Sequence, residues 1–393
     1  MITVTVIVII GIAGYNYNLI LNDKEFPKIA GYRGSTFDGE SMYFAPYYNN
    51  YGRHGIMLKY DTSQDFTDIN SWQIFNVESI LDVNGFQGVL YNDNFVYYVP
   101  YFTEPDKEGT SMLRYDVTLP FDNVASWEAV GFFGMYEDGV VDKNYIYYSP
   151  HLDSKGDRHT FPLRYNTEVP FSYKTSWESF DTGINASYIG ATSDGEKIYF
   201  TPWWSNDEEG SSIMTYNTAL PFLEKESWSY ISIPDSGYSG AGFNGTHIVF
   251  APCWCDGNIH KNQKIMFLNI ETQSITYSEH DYGSYHGVIE VDDTLYLSPY
   301  VMNNGTNSDF LKITNSITTF NPLISKGGYW GGSYDGQYVY YVPYETAGNI
   351  RIGDFLRYDT TKPFTNYDSW ESMSFQITNF NYNFEDPFFL NEW

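Results

Sequence analysis

Cysteine is nearly absent from this chain of 393 residues, since Cys253 and Cys255 are the only two. They stand in the segment APCWCDG, and no second CxC or CxxC pair exists to complete a structural zinc site. The favoured interpretation is a pair of small apolar side chains on one face of a strand. A local disulfide and half of a metal site are the alternatives. Two cysteines do not determine the redox compartment.

Basic residues are also scarce, with 21 Lys and Arg against 49 Asp and Glu and a net charge of −28. No run of basic residues occurs anywhere in the chain. A surface of this sign repels phosphate groups, so nucleic acid and anionic membrane surfaces are excluded as expected partners. The charge favours solubility and says little about the fold.

The chain has no apolar run of membrane-spanning length. Its most apolar segment, residues 2–13, is rich in Ile and Val, and as a helix it would span about 18 Å of a bilayer core about 30 Å thick. Three interpretations of segment 1–30 follow: a strand that closes this protein's own sheets, a strand or helix donated to a neighbouring subunit, or a signal peptide. The missing basic residue before the apolar run weakens the third.

What the chain does have is one unit repeated along its length. LRYDTTKPFTNYDSWES at 356–372 matches MLRYDVTLPFDNVASWEA at 112–129, PLRYNTEVPFSYKTSWES at 162–179 and IMTYNTALPFLEKESWSY at 213–230. A second element, of the type DGEKIYFTPWW, precedes each of these segments. Its proline recurs at positions 46, 100, 150, 202, 252, 299 and 343. Seven anchors about fifty residues apart have the period of a propeller blade.

Other columns agree with these anchors. Twelve residues before each proline stand Gly34, Gly88, Asp138, Gly190, Gly240, Gly287 and Gly331. An aromatic residue stands two positions earlier in all seven units. Each unit reads as four strands, a to d, with a hairpin turn between a and b, a variable loop between b and c, and a Pro-Phe turn between c and d. The predicted fold is therefore all-β, a seven-bladed β-propeller with four antiparallel strands per blade.

The predicted organisation has three parts. Residues 1–30 form the apolar segment, 31–377 the propeller, and 378–393 an aromatic C-terminal tail. The predicted blades are residues 31–84, 85–134, 135–186, 187–236, 237–283, 284–327 and 328–377. Most of the repeated Tyr and Trp residues are interpreted as packing between blades, because a twisted sheet must cover both faces.

The Tyr-Asp-Thr strand and the later Trp resemble the third and fourth strands of kelch repeats, over about residues 31–377. One departure is that a proline replaces the Gly-Gly doublet that ends the second kelch strand. The resemblance implies a propeller fold, and fold alone does not transfer a function.

Propeller topology predicts where a ligand would bind. The b–c loops lie on one face, the loop face, and they differ from blade to blade, which is typical of recognition surfaces. The residue thirteen before each proline also differs in every blade and is predicted to point into the channel mouth. The predicted ligand-binding residues of this channel-mouth ring are Arg33, Gln87, Glu137, Ser239, His286 and Trp330.

A second ring of candidates follows the proline directly. Its aromatic side chains are suited to stacking on sugars or holding an apolar ligand, and the alternative is that they cap the blade cores. The predicted residues of this aromatic rim are Tyr47, Tyr101, His151, Trp203, Tyr300 and Tyr344.

The favoured function is a non-enzymatic scaffold of a cell surface or virion that binds glycan or protein through the loop face. A structural subunit joined through residues 1–30 is the alternative. A hydrolase or lyase with Glu137 or His286 as acid or base is the second alternative, although no GxSxG, HExxH, Walker or dinucleotide motif occurs. No cofactor is expected. Segments 153–157 and 206–210 have oxygen ligands for Ca²⁺, but solvated acidic loops are favoured.

Overall fold

The computed structural model describes residues 29–101, 110–132, 134–152, 160–205, 211–253, 263–302 and 305–375, with the short strands Ile10–Gly11 and Gly14–Tyr15. The chain forms seven four-stranded antiparallel sheets arranged as blades in a propeller ring, which confirms the predicted fold class. Ile10–Gly11 pairs with Gly14–Tyr15 in a separate two-stranded sheet. The rest of segment 1–28, the predicted tail and both predicted calcium loops lie outside the described residues.

The strands of each blade follow the chain in order. The a strands are Tyr32–Phe37, Phe86–Asn92, Met135–Asp142, Ala186–Ser193, Tyr238–Phe243, Tyr285–Val291 and Tyr329–Tyr334. The b strands are Ser41–Pro46, Phe95–Pro100, Tyr145–Leu152, Lys197–Ser205, His247–Pro252, Thr294–Pro299 and Tyr338–Pro343. The c strands are Ile56–Asp61, Thr110–Asp116, Leu163–Asn166, Ser211–Asn217, Met266–Asn269, Phe310–Ile313 and Asp354–Asp359. The d strands are Trp72–Asn76, Trp127–Phe132, Trp177–Ser179, Trp228–Ile233, Ile275–Tyr277, Ile317–Phe320 and Trp370–Ser374.

Helices are short and peripheral in the described part of the chain. One α-helical turn spans Glu78–Leu81, and single 3₁₀ turns precede the Trp of five d strands, at Ile69–Ser71, Val124–Ser126, Lys174–Ser176, Lys225–Ser227 and Tyr367–Ser369. None of the described helices has the length and apolarity needed to cross a membrane.

The Tyr, Ser and Trp residues that most of the repeats share stabilise the c–d turn. In blade 1 the Trp72 indole donates a hydrogen bond to the Phe66 carbonyl at 3.0 Å. The Ser71 hydroxyl donates to the Asp65 carbonyl, and the Tyr60 hydroxyl donates to the Gln64 carbonyl. The Trp and Ser bonds recur in blades 2, 3, 4 and 7. Blades 5 and 6 lack the Tyr and Trp and have shorter turns, so the motif belongs to the turn and not to the fold as a whole.

The a strands line the axis, because each one contacts the a strands of both neighbouring blades, blades 7 and 1 included. Blade 1 is complete within residues 32–76 and blade 7 within residues 329–374, so the ring closes without exchange of a strand. At this seam the Ser35 and Ser333 hydroxyls share a hydrogen bond of 2.7 Å. The Arg357 guanidinium donates to the Tyr60 hydroxyl at 3.2 Å. Side chains therefore take the place of a shared strand.

Candidate functional site

The glycine column lies where neighbouring a strands come into close contact around the axis, and we call this level of the channel the waist. An ideal Cβ on Gly240 would lie 2.6 Å from the Cα of Gly287, and one on Gly287 would lie 2.6 Å from the Cα of Gly331. Both residues also have positive φ, which L side chains rarely adopt. The close approach of neighbouring a strands thus explains why six of the seven units have glycine. The exception is Asp138, which adopts a φ of 62°.

The predicted channel-mouth ring lies directly on the loop-face side of this waist, and every member is buried. Arg33 is at its centre. Its guanidinium lies 3.5 Å from the ring centroid of Trp330 and 4.1 Å from that of Tyr344. It also donates a hydrogen bond to Gln87 and lies 3.7 Å from Glu137 Oε1. Cation–π contacts and an ion pair therefore hold one cation on the axis.

The other polar members of this ring contact neighbours within the molecule. The His286 imidazole stacks on Trp330 with centroids 3.3 Å apart. Burial lowers the pKa of His286 well below its ordinary value, and the positive charge of Arg33 adds to this effect. The Ser239 hydroxyl donates to the Tyr285 carbonyl at 2.7 Å. His286 Nε2, by contrast, is buried with no hydrogen-bond partner among the described residues.

The predicted aromatic rim covers this ring. Tyr47 contacts Tyr101 and Tyr344, with centroids 5.8 Å apart in both pairs. Tyr344 stacks against Tyr300, and His151 Nδ1 lies 3.5 Å from Glu137 Oε2. Tyr101 is half-buried, and the other five predicted rim residues are buried. Much of the two rings forms one buried cluster, which we call the plug: Arg33, Gln87, Glu137, His286, Trp330, Tyr47, His151, Trp203, Tyr300 and Tyr344.

The plug closes the loop-face end of the channel. The structure thus brings the predicted site residues together but places them beneath the surface, in contact with each other. Their role in ligand binding stays a prediction, and a ligand on this face would meet the rim and the surrounding loops first. The sequence pattern placed both rings at one end of the channel and carried no information on which ring covers the other.

The face opposite the loop face carries the a–b and c–d turns, and we call it the turn face. On the turn-face side of the plug the channel is a cavity of about 370 Å³. Asp138 and Glu290 line it, and sequence reasoning proposed neither as a site residue. Burial raises the pKa of Asp138 to about 6, although the Gly139 N–H donates to its carboxylate. Burial also raises the pKa of Glu290, which accepts hydrogen bonds from the Thr192 hydroxyl and a backbone N–H. The sequence did carry one signal for this cavity, because Asp138 is the only residue of the glycine column that is not glycine.

Three short hairpins rise from the b–c loops of adjacent blades 1, 6 and 7. They are Tyr48–Asn49 with Gly52–Arg53, Val301–Met302 with Gly305–Thr306, and Glu345–Thr346 with Ile350–Arg351. The Asn50 side chain accepts a hydrogen bond from the Arg351 N–H at 3.0 Å and donates one to the Arg351 carbonyl at 3.3 Å. The Ala347 N–H donates to the Thr306 hydroxyl at 2.7 Å. Glu345 pairs with Arg351 below them. We call these linked hairpins the platform.

The platform and the loop beside it expose apolar side chains. Tyr51 is 69% exposed and Ile350 is 57% exposed. Leu323, in the connection between blades 6 and 7, is 73% exposed and has a φ of 60°. A left-handed backbone costs a side chain of this type about 1–2 kcal/mol. An exposed apolar residue in a strained turn is a candidate for recognition.

Cys253, beside the rim, is disulfide-bonded. The sequence has one other cysteine, Cys255, which lies outside the described residues. The Ser284 hydroxyl points at the buried Cys253 sulfur from 3.6 Å. The expectation of a small apolar side chain without a disulfide is therefore wrong for Cys253.

Comparison with known proteins shows the fold and no family. No family model and no curated protein matches the chain, so the kelch-like resemblance is unconfirmed. The structure of YjhT aligns with a TM-score of 0.51 and 12% identity over 77% of this chain and 99% of that chain. PorZ is described as an essential bacterial surface component of the type-IX secretion system of Porphyromonas gingivalis. It aligns with a TM-score of 0.52 and 9% identity over 91% of this chain and 39% of that chain. This chain thus spans less than half of PorZ, and at these identities the likeness is one of propeller fold alone.

Proposed function

We propose that the chain is a propeller scaffold that binds a partner protein through the platform on its loop face. The observation that carries this proposal is an ordered set of hairpins with exposed apolar tips, mounted on a rigid ring. Tyr51, Ile350 and Leu323 stand on adjacent blades, where one partner can cover them together. Exposed apolar residues grouped in this way mark interaction sites in soluble proteins. The plug beneath them supplies rigidity.

The kind of exposed side chain favours protein over glycan as the ligand. Tyr48 and Tyr51 can stack on a sugar ring or fill a protein pocket. Ile350, Leu323 and Ile324 are aliphatic, all three are exposed, and they offer no hydrogen bond to a hydroxylated ligand. A protein surface buries such side chains with a gain of about 25 cal/mol per Å² of apolar area. Glycan is kept as the second ligand class in the test.

An extracellular location is part of the proposal. The Cys253 disulfide persists most readily in an oxidising compartment. The net charge of −28 keeps an isolated surface protein soluble and away from anionic lipid. The fold likeness to PorZ, a bacterial surface component, is compatible with such a setting. A cell surface and a virion are both consistent with these features.

Removing the platform tips is expected to abolish partner binding. A Tyr51→Ser/Ile350→Ser variant should retain at most a tenth of the partner that the wild type captures from extract of the native host. The control is Tyr173→Ser/Leu223→Ser, which removes two exposed apolar side chains from the opposite face. Exposed substitutions change stability by about 0.5 kcal/mol or less, so both variants should fold.

The same three proteins are applied to a glycan array. Array binding that the platform variant loses would replace protein by glycan as the ligand class. Equal capture by all three proteins, with no array signal, would contradict a ligand site on the platform.

A second function, a subunit joined through its N-terminal segment, is favoured by one observation. Residues 32–374 complete all seven sheets, so no blade requires a strand from residues 1–30. An apolar segment that the blades do not need is suited to pairing with a neighbouring copy.

Deleting residues 1–28 is expected to convert an ordered assembly into a folded monomer. The deletion stops before Ile29, because Ile29 packs in the core of blade 1 and the Ala30 carbonyl contacts His54 at 3.1 Å. Light scattering and negative-stain imaging measure the assembly state of the intact chain and of the chain that lacks residues 1–28. Circular dichroism is the control for folding. Monomers from both chains would contradict assembly through this segment.

A further inference from the structure

Asp138 occupies a position that the rest of the ring reserves for glycine. Its φ of 62° places a residue with a side chain in the left-handed region. An ideal Cβ on Gly88 would lie 2.7 Å from its carboxylate, so the side chain sits against the waist of the channel. Asparagine and aspartate tolerate this backbone better than other side chains, but glycine costs least. A strained residue retained at a constriction points to a role for its carboxylate.

The cavity below the plug is acidic on its walls. Its titratable lining residues are Glu137, Asp138, His286 and Glu290, and none of the described lining residues is Lys or Arg. Arg33 lies behind Glu137, within the plug. The charge of Glu137 is compensated there, whereas Asp138 and Glu290 have no cationic partner among the described residues.

Glu290 faces the lumen farther from the plug. Its side chain is exposed to channel solvent, while protein surrounds the channel on every side, which is why burial still raises its pKa. The Thr192 hydroxyl at 2.7 Å and the Phe243 N–H at 2.9 Å fix Oε1. A carboxylate can accept about four hydrogen bonds, so capacity for a ligand is left.

His286 supplies an observation independent of the acids. It lines the cavity, it is 4% exposed, and its Nε2 has no hydrogen-bond partner among the described residues. An unsatisfied buried nitrogen costs about 1–3 kcal/mol, and a bound polar ligand would satisfy it. Blades 3 and 6 lie across the axis from each other, so Asp138 and His286 approach the lumen from opposite walls.

We propose that this cavity binds a short aliphatic diamine, which enters from the turn face and places one ammonium group at Asp138 and the other at Glu290. Asp138 is level with Gly287 in the repeat, and Glu290 is three residues further along strand a, so the two positions are offset by about 10 Å along the strand direction at 3.3 Å per residue. The Glu290 carboxylate also reaches sideways from blade 6 to blade 4, where it accepts a hydrogen bond from the Thr192 hydroxyl. A four-carbon diamine with a charge-assisted hydrogen bond of about 2.8 Å at each end covers a similar distance.

Other ligand classes fit the lining less well. An anion would meet two uncompensated carboxylates. A bound metal ion needs several ligands that converge, and no group of three His, Cys, Asp or Glu does so among the described residues. A neutral diol could accept and donate hydrogen bonds but would leave both charges uncompensated. The site lies at the opposite end of the channel from the platform and is independent of partner binding there.

Isothermal titration calorimetry on the full chain at pH 7.5 and low salt tests the site, with butane-1,4-diamine as the probe. We expect binding in the micromolar to low millimolar range. Butylamine should bind at least tenfold more weakly, and butane-1,4-diol and succinate should give no heat. Asp138→Asn and Glu290→Gln should each weaken the diamine at least tenfold. Asp93→Asn is the matched control, because Asp93 also has a positive φ, of 54°, and is exposed on the turn face.

The pH dependence gives a second readout. The amine stays protonated between pH 5 and 8, whereas Asp138 ionises with a pKa of about 6. Affinity should therefore rise with pH through this range in the wild type and change much less in Asp138→Asn. If Asp138→Asn fails to fold, Glu290→Gln carries the test. The proposal is overturned if no binding is measured at diamine concentrations tenfold above the low millimolar range. It is also overturned if the diol binds as tightly as the diamine, or if both variants bind the diamine like the wild type.

Discussion

Replacing Gly287 with alanine is expected to lower the free energy of unfolding by about 2–5 kcal/mol, whereas the same change at Gly195 is expected to cost only about 1–2 kcal/mol. The two residues have similar φ angles in the left-handed region, 82° and 89°. A Cβ on Gly195 meets nothing within 4 Å. A Cβ on Gly287 lies 2.6 Å from the Cα of Gly331, which belongs to the next blade. The difference between the variants therefore isolates the close approach of the blades.

The expected loss at Gly287 adds two contributions. The left-handed backbone costs about 1–2 kcal/mol, and overpacking in a rigid region costs about 1–3 kcal/mol more. Their sum is a large share of a free energy of unfolding of about 5–15 kcal/mol. Urea unfolding followed by tryptophan fluorescence measures both variants against the wild type. An equal decrease in the free energy of unfolding for the two variants would show that neighbouring a strands can move apart to accommodate a methyl group. That result would contradict the close packing described at the axis.

Much of the fold could be predicted from the sequence because the same structural requirements recur in each of the seven repeats. The proline anchors and the glycine column report on backbone geometry, which every blade must reproduce, and they predicted seven blades with a common strand order. The Tyr and Trp columns also had structural roles, in the c–d turns and between blades. Blades 5 and 6 keep four strands without them, since a shorter turn needs no such bonds.

The site could be predicted only in part, because it depends on features that no single repeat specifies. The rings of Arg33 and of Tyr47 were placed at the same end of the channel. Their mutual burial depends on side chains from different blades meeting on the axis, which is a property of the closed ring. Asp138 was visible as an exception to the glycine column, yet Glu290, which faces the same lumen, had no repeat signature at all.

Replacing Arg33 with methionine is expected to lower the free energy of unfolding by about 3–5 kcal/mol, because it leaves the buried carboxylate of Glu137 without its cation. Arg33 is 8% exposed and lies 3.7 Å from that carboxylate. The control is Arg114→Met. Its partner Glu128 is 2.7 Å away, but the side chain of Glu128 is 39% exposed, so the loss should stay near 1 kcal/mol. Distance alone would predict the opposite order.

The double variant Arg33→Met/Glu137→Gln decides whether the charge is the cause. If the buried charge of Glu137 dominates, neutralising it should recover about half or more of the lost stability, because a neutral amide at this position can still contact His151. If the lost contacts of the guanidinium with Trp330 and Tyr344 dominate, the double variant should be no more stable than Arg33→Met. Urea unfolding of the wild type, Arg33→Met, Glu137→Gln and the double variant completes this double-mutant cycle. Recovery would mean that the plug is held by a compensated charge on the axis, and its absence would mean that aromatic packing alone closes the channel.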